Sequence, residues 1–291
     1  MTDLVDLETF VTVADAGGVS PAARRLGLPK SIVSRRLSRL EQELGAQLLI
    51  RTTRGAALTE AGATFREHAA RVCAEMQAAR DSIAPEGDVR GLLRVSAPLS
   101  FGATHIAPVF AELARRHPRL QVHAAYSDKF VDLVAEGFDA AIRLGTLADS
   151  NLIARRIRPI RGRVVASPAY VAAHGAPQTP DEVSAHAALM QGTESWRFTV
   201  AGSVHTVHPQ GRFKADNGPA LVAGALAGLG IAALPDFLIE EHVATGALVP
   251  LLLDFPMPEA GLYVVRPPGS HPPRKVRALM EIMVEWFGDA T

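Results

Sequence analysis

The sequence predicts a multi-domain α and α/β chain: a helical head with a short β hairpin, one long helix, and an α/β body. Three observations predict it. Three amphipathic helical patterns separated by glycine occupy the first 45 residues, an unbroken helical repeat runs from Glu60 to about Ile83, and β-rich runs alternate with helical ones beyond a Pro-Gly break at 84–88.

Leu7, Phe10, Val11 and Ala14 recur at helical spacing, and Gly17-Gly18 ends that first helix. Ser20 is placed to cap the second, Pro21 suits its first turn, and Ala22, Ala23 and Leu26 face inward before Gly27 turns the chain. In the third, Val33, Leu37, Leu40 and Leu44 form one apolar stripe. The opposite face carries Ser31, Ser34, Arg35, Ser38 and Arg39, with Lys30 at its start. From Ser20 to Leu40 there are six Arg or Lys residues and no carboxylate. Short hydroxyls permit close approach, and guanidiniums pair with phosphates or a guanine edge. A solvated basic face is the blander reading of such a charge run. Its position after a helix and a glycine turn favours a helix-turn-helix reading a DNA major groove. Apolar runs flanking Thr53-Arg54-Gly55 predict a hairpin wing, with Arg51 and Arg54 at its tip placed for phosphates or an adjacent minor groove.

Across some sixty positions the chain resembles the LysR-type transcriptional regulators. The resemblance rests on A-A-x-x-L at Ala22, Ala23 and Leu26, Ser34-Arg35, L-E-x-x-L-G from Leu40 to Gly45, and L-T-E-A-G from Leu58 to Gly62. Where that family often has Ser-Gln-Pro, this chain has Pro29-Lys30-Ser31, so the family's Gln base contact does not transfer.

Thr59 is a candidate N-cap for the long helix, with Glu60 in its first turn. Phe65, Ala69, Val72, Met76, Ala79 and Ile83 alternate spacings of four and three, which predicts a coiled-coil seam and a homodimer; burial against the later domain is the alternative. Two heads would then meet half-sites about 34–36 Å apart. The resemblance implies further assembly into a homotetramer.

Beyond the break, LLRVSAP, LQVHAAYS, DAAIRLG and GRVVAS alternate with helical runs including FVDLVAEG, which predicts parallel sheet with crossover helices. The resemblance implies two periplasmic-binding-protein-like lobes forming an effector-binding domain. The expected divisions are 1–59 for the winged head, 60–86 for the linker helix and 87–291 for the body. Within the body, lobe I takes about 91–161 and 267–291, and lobe II about 162–266. A last helix, Arg274 to Phe287, buries Val276, Leu279, Met280, Met283 and Phe287.

Ligands in such folds collect at the carboxyl ends of strands and at helix N-termini. Ser100 and Phe101 follow the first strand of the body, Arg143 ends another, and Asn217 opens a helix; with Tyr126 they are the candidate effector contacts. Capping is the alternative for Ser100 and Asn217, and a salt bridge with a carboxylate such as Asp216 the alternative for Arg143. Tyr126, Ser127 and Trp196 carry less weight, because aromatics near strand ends are more often core.

The composition, 30 Lys and Arg against 30 Asp and Glu, balances to zero, so nucleic-acid affinity is confined to the head. One cysteine, Cys73, excludes an intrachain disulfide and a thiol metal cluster. No basic-then-apolar leader and no apolar run near 20 residues predict a cytoplasmic protein without a membrane partner. Catalysis is the rival class, as an enzyme or small-molecule binding protein with an accessory DNA-binding head. H-E-x-x-H, G-x-S-x-G and a Walker loop do not occur, and His205 and His208 are expected on opposite faces of a hairpin. GALAGLG, from Gly224 to Gly230, sits at a helix end entering a strand, the reverse of a dinucleotide loop. No catalytic residue, metal or cofactor is expected. The expected partners are a double-stranded DNA operator and a small-molecule effector.

Overall fold

The computed structural model describes residues 3–52, 55–83, 89–128, 131–147, 149–192, 195–269 and 271–288. The head comprises α1 (Leu4–Asp15), α2 (Val19–Leu26), α3 (Lys30–Leu44) and the wing strands β1 (Leu49–Thr52) and β2 (Gly55–Leu58), followed by the linker helix α4 (Glu60–Ile83). Its core gathers Leu7, Phe10, Val13, Ala22, Ala23, Val33, Leu37, Leu40 and Leu48. Leu44, expected at the end of the α3 stripe, is instead 37% exposed, because the helix has run past the core by that turn. Ser20 does not cap α2: it lies inside the helix, and Gly18 takes the cap position with no side-chain bond.

The L-E-x-x-L-G and L-T-E-A-G signatures have a shared mechanical cause. Glu41 accepts hydrogen bonds from Leu48 N and Leu49 N at 2.8 and 3.1 Å, tying α3 to the wing. Thr59 Oγ1 accepts from Gly62 N at 2.8 Å and donates to the Gln47 carbonyl at 2.8 Å, so the predicted cap also fastens α4 to the wing. A Cβ on Gly62 would lie 2.0 Å from the Leu48 carbonyl oxygen, and only glycine fits that approach.

The body holds two mixed five-stranded sheets. The first lobe is built from β3 (Gly91–Ala97), α5 (Leu99–Phe101), a π-helical turn (Gly102–Ile106), α6 (Ala107–Arg116), β4 (Leu120–Tyr126), β5 (Ala140–Gly145) and β6 (Ile153–Ile160). The chain crosses to form β7 (Gly162–Ala166), α7 (Pro168–His174), β8 (Ala187–Met190), the hairpin β9 (Trp196–Val200) and β10 (Ser203–Val207), and β11 (Gln210–Lys214). The second lobe closes with α8 (Gly218–Leu226), β12 (Ile231–Pro235), α9 (Asp236–Ala244) and β13 (Val249–Leu251), and β14 (Ala260–Arg266) and α10 (Arg274–Phe287) complete the first.

Strand order is β4-β3-β5-β14-β6 in one sheet and β11-β8-β12-β7-β13 in the other. The expectation of parallel sheet holds for three adjacent strands of each. β14 pairs antiparallel with both β5 and β6 in the first, and β7 with both β12 and β13 in the second, so one strand of each sheet runs against the other four. The lobe boundary at 267 is also corrected. β14 pairs with β5 from Gly261↔Gly145 to Val265↔Ala141, so the chain has returned to lobe I by Ala260. Within FVDLVAEG, residues 133–137 form turns rather than a helix: Asp132 Oδ1 accepts from Val134 N and Ala135 N at 3.0 Å as a cap does, but Gly137 (φ +69°) ends the segment after one turn, with Phe138 N donating to the Leu133 carbonyl.

The lobe I core packs Leu93, Val95, Ile106, Phe110, Leu113 and Leu262 against Leu279 and Met283 of α10. Lobe II buries both sheet faces, Val165, Leu189, Leu221 and Ile239 on one and Val164, Trp196, Phe198 and Ile231 on the other. Trp196 is therefore core. Gly228 (φ +74°) ends α8 before β12, and a Cβ on Gly230 would lie 2.1 Å from the Ala187 carbonyl oxygen, so GALAGLG serves helix termination and strand packing.

Candidate nucleic-acid interface and effector cleft

Packing of Val33, Leu37 and Leu40 into the head leaves the opposite face of α3 outward. Lys30, Ser31, Arg35 and Ser38 are exposed on it, and Ser34 is half-buried beside them. α3 carries no acidic residue in its first turn, and α2 places the exposed Arg24 and Arg25 nearby in the chain. Arg39 departs from the expectation. Its Nε and Nη2 donate to both oxygens of Asp6 at 2.6 and 2.7 Å, a bidentate pair with a carboxylate only 2% exposed. That hydrogen bond, foremost, holds the guanidinium above its usual pKa range. Arg39 thus fixes α3 against α1, and Arg36 does the same by donating to Thr9 Oγ1 at 3.2 Å. In the wing, Arg51 lies on β1 opposite Ala56, and its side chain is outside what is described; Arg54 lies outside the described residues.

The expected dimer seam divides in two. Phe65 and Ala69 pack into the head's own core, Phe65 with its ring 5.6 Å from that of Phe10, and Ala69 is 2% exposed. Ala69 is thereby closed off by the head, and Phe65 is half-buried against it. Farther along, Val72 and Met76 are 49% and 43% exposed, and Ala79 is exposed. The Ile83 side chain, and the break at 84–88, lie outside the described residues. Another face of α4 meets lobe I. Arg66 binds Asp15 at 2.6 Å and donates to the Ala135 carbonyl, and beside them a cavity of about 440 Å³ is lined by Cys73, Glu75, Val134, Phe138, Arg266 and Lys275.

Of the effector candidates, Ser100, Tyr126 and Arg143 lie at the carboxyl ends of the adjacent strands β3, β4 and β5, while Asn217 belongs to the other lobe. Phe101 is corrected: it is 3% exposed, stacked on His105 at 4.6 Å and set edge-on to Phe237 at 4.7 Å, a core position. Asn217 caps α8, its side chain accepting from Ala220 N at 3.3 Å. Ser100 sits within α5, whose cap position is Pro98, so it is no cap. The Tyr126 ring fills the space above Gly102, where a Cβ would lie 2.5 Å from it, and burial raises its phenol pKa. Burial pushes the half-buried Arg143 guanidinium below its usual range, against the opposing charge of Glu136.

Sequence reasoning passed over the arginines of IARRIRPIRGR. Two flank a cavity of about 670 Å³ at the lobe crossover, where Arg161 pairs with Glu259 at 2.9 Å and Arg163 with Asp236 at 2.7 Å. Arg155, Arg156 and Arg158 of the same run lie on the edge strand β6, whereas Arg161 lies in the crossover and Arg163 on β7, inside the second sheet. His205 bonds Asp181 at 2.8 Å, and among the described residues no group of three or more His, Cys, Asp or Glu could hold a metal. No helix there is long and apolar enough to cross a membrane.

Comparison with known proteins agrees with this architecture. The model of the bacterial regulatory helix-turn-helix protein, lysR family, matches residues 4–63, and that of the LysR substrate binding domain matches 86–288. The chain is 36% identical over 291 residues to an HTH-type transcriptional regulator of Xanthomonas campestris, covering 97% of this chain and 85% of that one. It is 35% identical to the regulator PtxR of Pseudomonas aeruginosa, covering 98% and 93%. Among solved structures, CrgA, a LysR-type transcriptional regulator from Neisseria meningitidis, superposes with a TM-score of 0.61 at 33% identity, covering 99% and 100%. A family match over both the head and the body, in this order, makes the chain a member of the LysR family of DNA-binding transcriptional regulators with an effector-binding domain.

Proposed function

We propose that this regulator acts in the cytoplasm as a homodimer that assembles further into a homotetramer, with the α3 face of Lys30, Ser31, Ser34, Arg35 and Ser38 read into the major groove of a double-stranded operator. The observation that carries the reading is that face itself: exposed hydroxyls and cations on a helix whose other side is buried, with no carboxylate among them. The exposed Val72, Met76 and Ala79 of α4 supply the pairing surface, and Arg51 and Arg54 of the wing lie along the flanking backbone. A small polar or anionic effector binds between the lobes, near Ser100, Tyr126 and Arg143 on one side and the Asn217 helix end on the other. Its binding shifts lobe and subunit geometry, and with it the spacing of the paired heads.

Arg35→Ala tests the base-reading role. The variant should lose about 1–3 kcal/mol on the specific operator and relax sequence preference at one position, while a scrambled duplex at the same salt loses much less. Equal losses on both duplexes would make Arg35 a phosphate contact. The operator itself comes from selecting bound fragments of the source genome and footprinting them.

A further inference from the structure

Three parts of the chain that lie far apart in sequence wall the cavity of about 440 Å³: the head with Val11, the linker helix with Ala70 and Cys73, and lobe I with Leu133, Val134 and Phe138. That volume falls within the ~300–1,000 Å³ of small-molecule sites, which are concave and mostly apolar. Neither the α3 face nor the interlobe candidates line it.

The charged side chains around its rim answer one another. Arg66 binds Asp15 at 2.6 Å, with Arg94 at 4.0 Å from the same carboxylate, and Lys275 binds Asp139 at 2.7 Å. Arg266 donates to the Pro267 and Gly269 carbonyls at 3.1 and 3.0 Å and feels the opposing charge of Glu75. Arg71 is turned to His68 at the solvent edge, 2.9 Å away. A charged ligand would have to displace one of these partners and leave it unpaired, whereas a neutral apolar one covers Val134, Phe138 and Cys73 and disturbs none of them. Water gains little on those walls, because a held water needs several polar partners and these are engaged. Burial pushes the Cys73 thiol up to about 11, in keeping with a poorly hydrated wall.

The linker helix keeps this face apart from its pairing stripe. At about 100° per residue, Ala70, Cys73 and Gln77 cluster on one side of α4, and the exposed Val72, Met76 and Ala79 centre roughly 120° away. A second copy seated on the stripe therefore need not enter the cavity.

We propose that this cavity binds a neutral, largely apolar small molecule, and that its occupant joins head, linker helix and lobe I into one unit. The filled cavity fixes the orientation of the head on the body, an input to DNA binding separate from the interlobe cleft.

Cys73 is the chain's single cysteine, so its alkylation reports on this wall alone. The full chain without DNA is labelled with iodoacetamide while indole, a neutral aromatic probe, is titrated in; benzoate and benzylammonium serve as charged counterparts. Indole should slow labelling saturably, by roughly tenfold when it reaches about ten times its dissociation constant, since only the unoccupied fraction then reacts. The charged compounds should leave the rate nearly unchanged. Ala70→Leu, which fills the cavity from α4, should label slowly without indole and lose the response to it. Val134→Phe, which fills it from lobe I, should do the same, and it decides if Ala70→Leu does not fold. Labelling that indole does not slow would overturn the proposal. So would equal protection by benzoate or benzylammonium, or protection that persists in the filled variants. A rate that falls with rising protein concentration and ignores indole would overturn it too, by giving the cavity to a second copy of the chain.

Discussion

Replacing Val72 and Met76 together by Asp should lower operator affinity by ~10²–10⁴-fold while the head stays folded, because the loss is one of avidity rather than of any DNA contact. Both side chains are nearly half exposed on a 24-residue helix that spans about 36 Å, and an apolar stripe of that kind needs a second surface. A carboxylate introduced there would be desolvated against its counterpart in the second chain. Phe65→Ala is the informative contrast. Its ring packs on Phe10 inside the head, so it should destabilise the head, toward the low end of the ~3–5 kcal/mol seen for buried phenylalanine, and leave pairing intact. Sedimentation at micromolar concentration separates the two variants. A Val72, Met76 double variant that remains dimeric would locate pairing elsewhere.

Cys73 should present about 100-fold less thiolate at pH 8 than an ordinary cysteine and so react more slowly with a thiol reagent. Burial, with a smaller push from the Glu8 charge, raises its pKa from the usual 9.0 to about 11, and each unit of that rise costs tenfold in thiolate. The thiol lines the cavity between head, linker helix and lobe I. Its reactivity therefore reports on whether that junction is closed. Arg66→Ala removes the guanidinium that links Asp15 to the Ala135 carbonyl and should accelerate labelling; equal rates in the two proteins would mean that Arg66 does not hold the junction shut.

Periodicity makes most of the helices legible. Arg274–Phe287 is legible at both its ends, and the α3 stripe everywhere except at Leu44, because a repeat of 3.6 records which face is buried. It does not record what covers that face. Phe65 and Ala69 share their spacing with Val72 and Met76, yet the first two pack against the head, Ala69 buried and Phe65 half-buried, and the second two are open. Asp6 and Arg39 stand 33 residues apart, and nothing local separates a guanidinium that faces DNA from one that grips a buried carboxylate. Membership of β14 in lobe I is likewise hidden, since it depends on pairing with a strand more than a hundred residues earlier. Phe101 carries a strand-end signal and is core; Arg158 carries an edge-strand signal, and its buried Nε can be found only from register.

The Lys30–Ser38 face of α3 is expected to enter the major groove at two half-sites. Tethered cleavage tests it directly: Ser31→Cys or Ser38→Cys, in a Cys73→Ser background, carries an iron chelate that generates hydroxyl radicals on the bound operator. Two clusters of strand cleavage are expected, each centred in a major groove and separated by one helical turn, about 10–10.5 base pairs, or a multiple of it. Moving the tether to the wing side of the head, at Gln47→Cys, should displace both clusters by several base pairs. Diffuse cleavage from a chelate on α3 at either serine position, or clusters that stay in place whichever position carries the chelate, would contradict the assignment of α3 as the recognition helix.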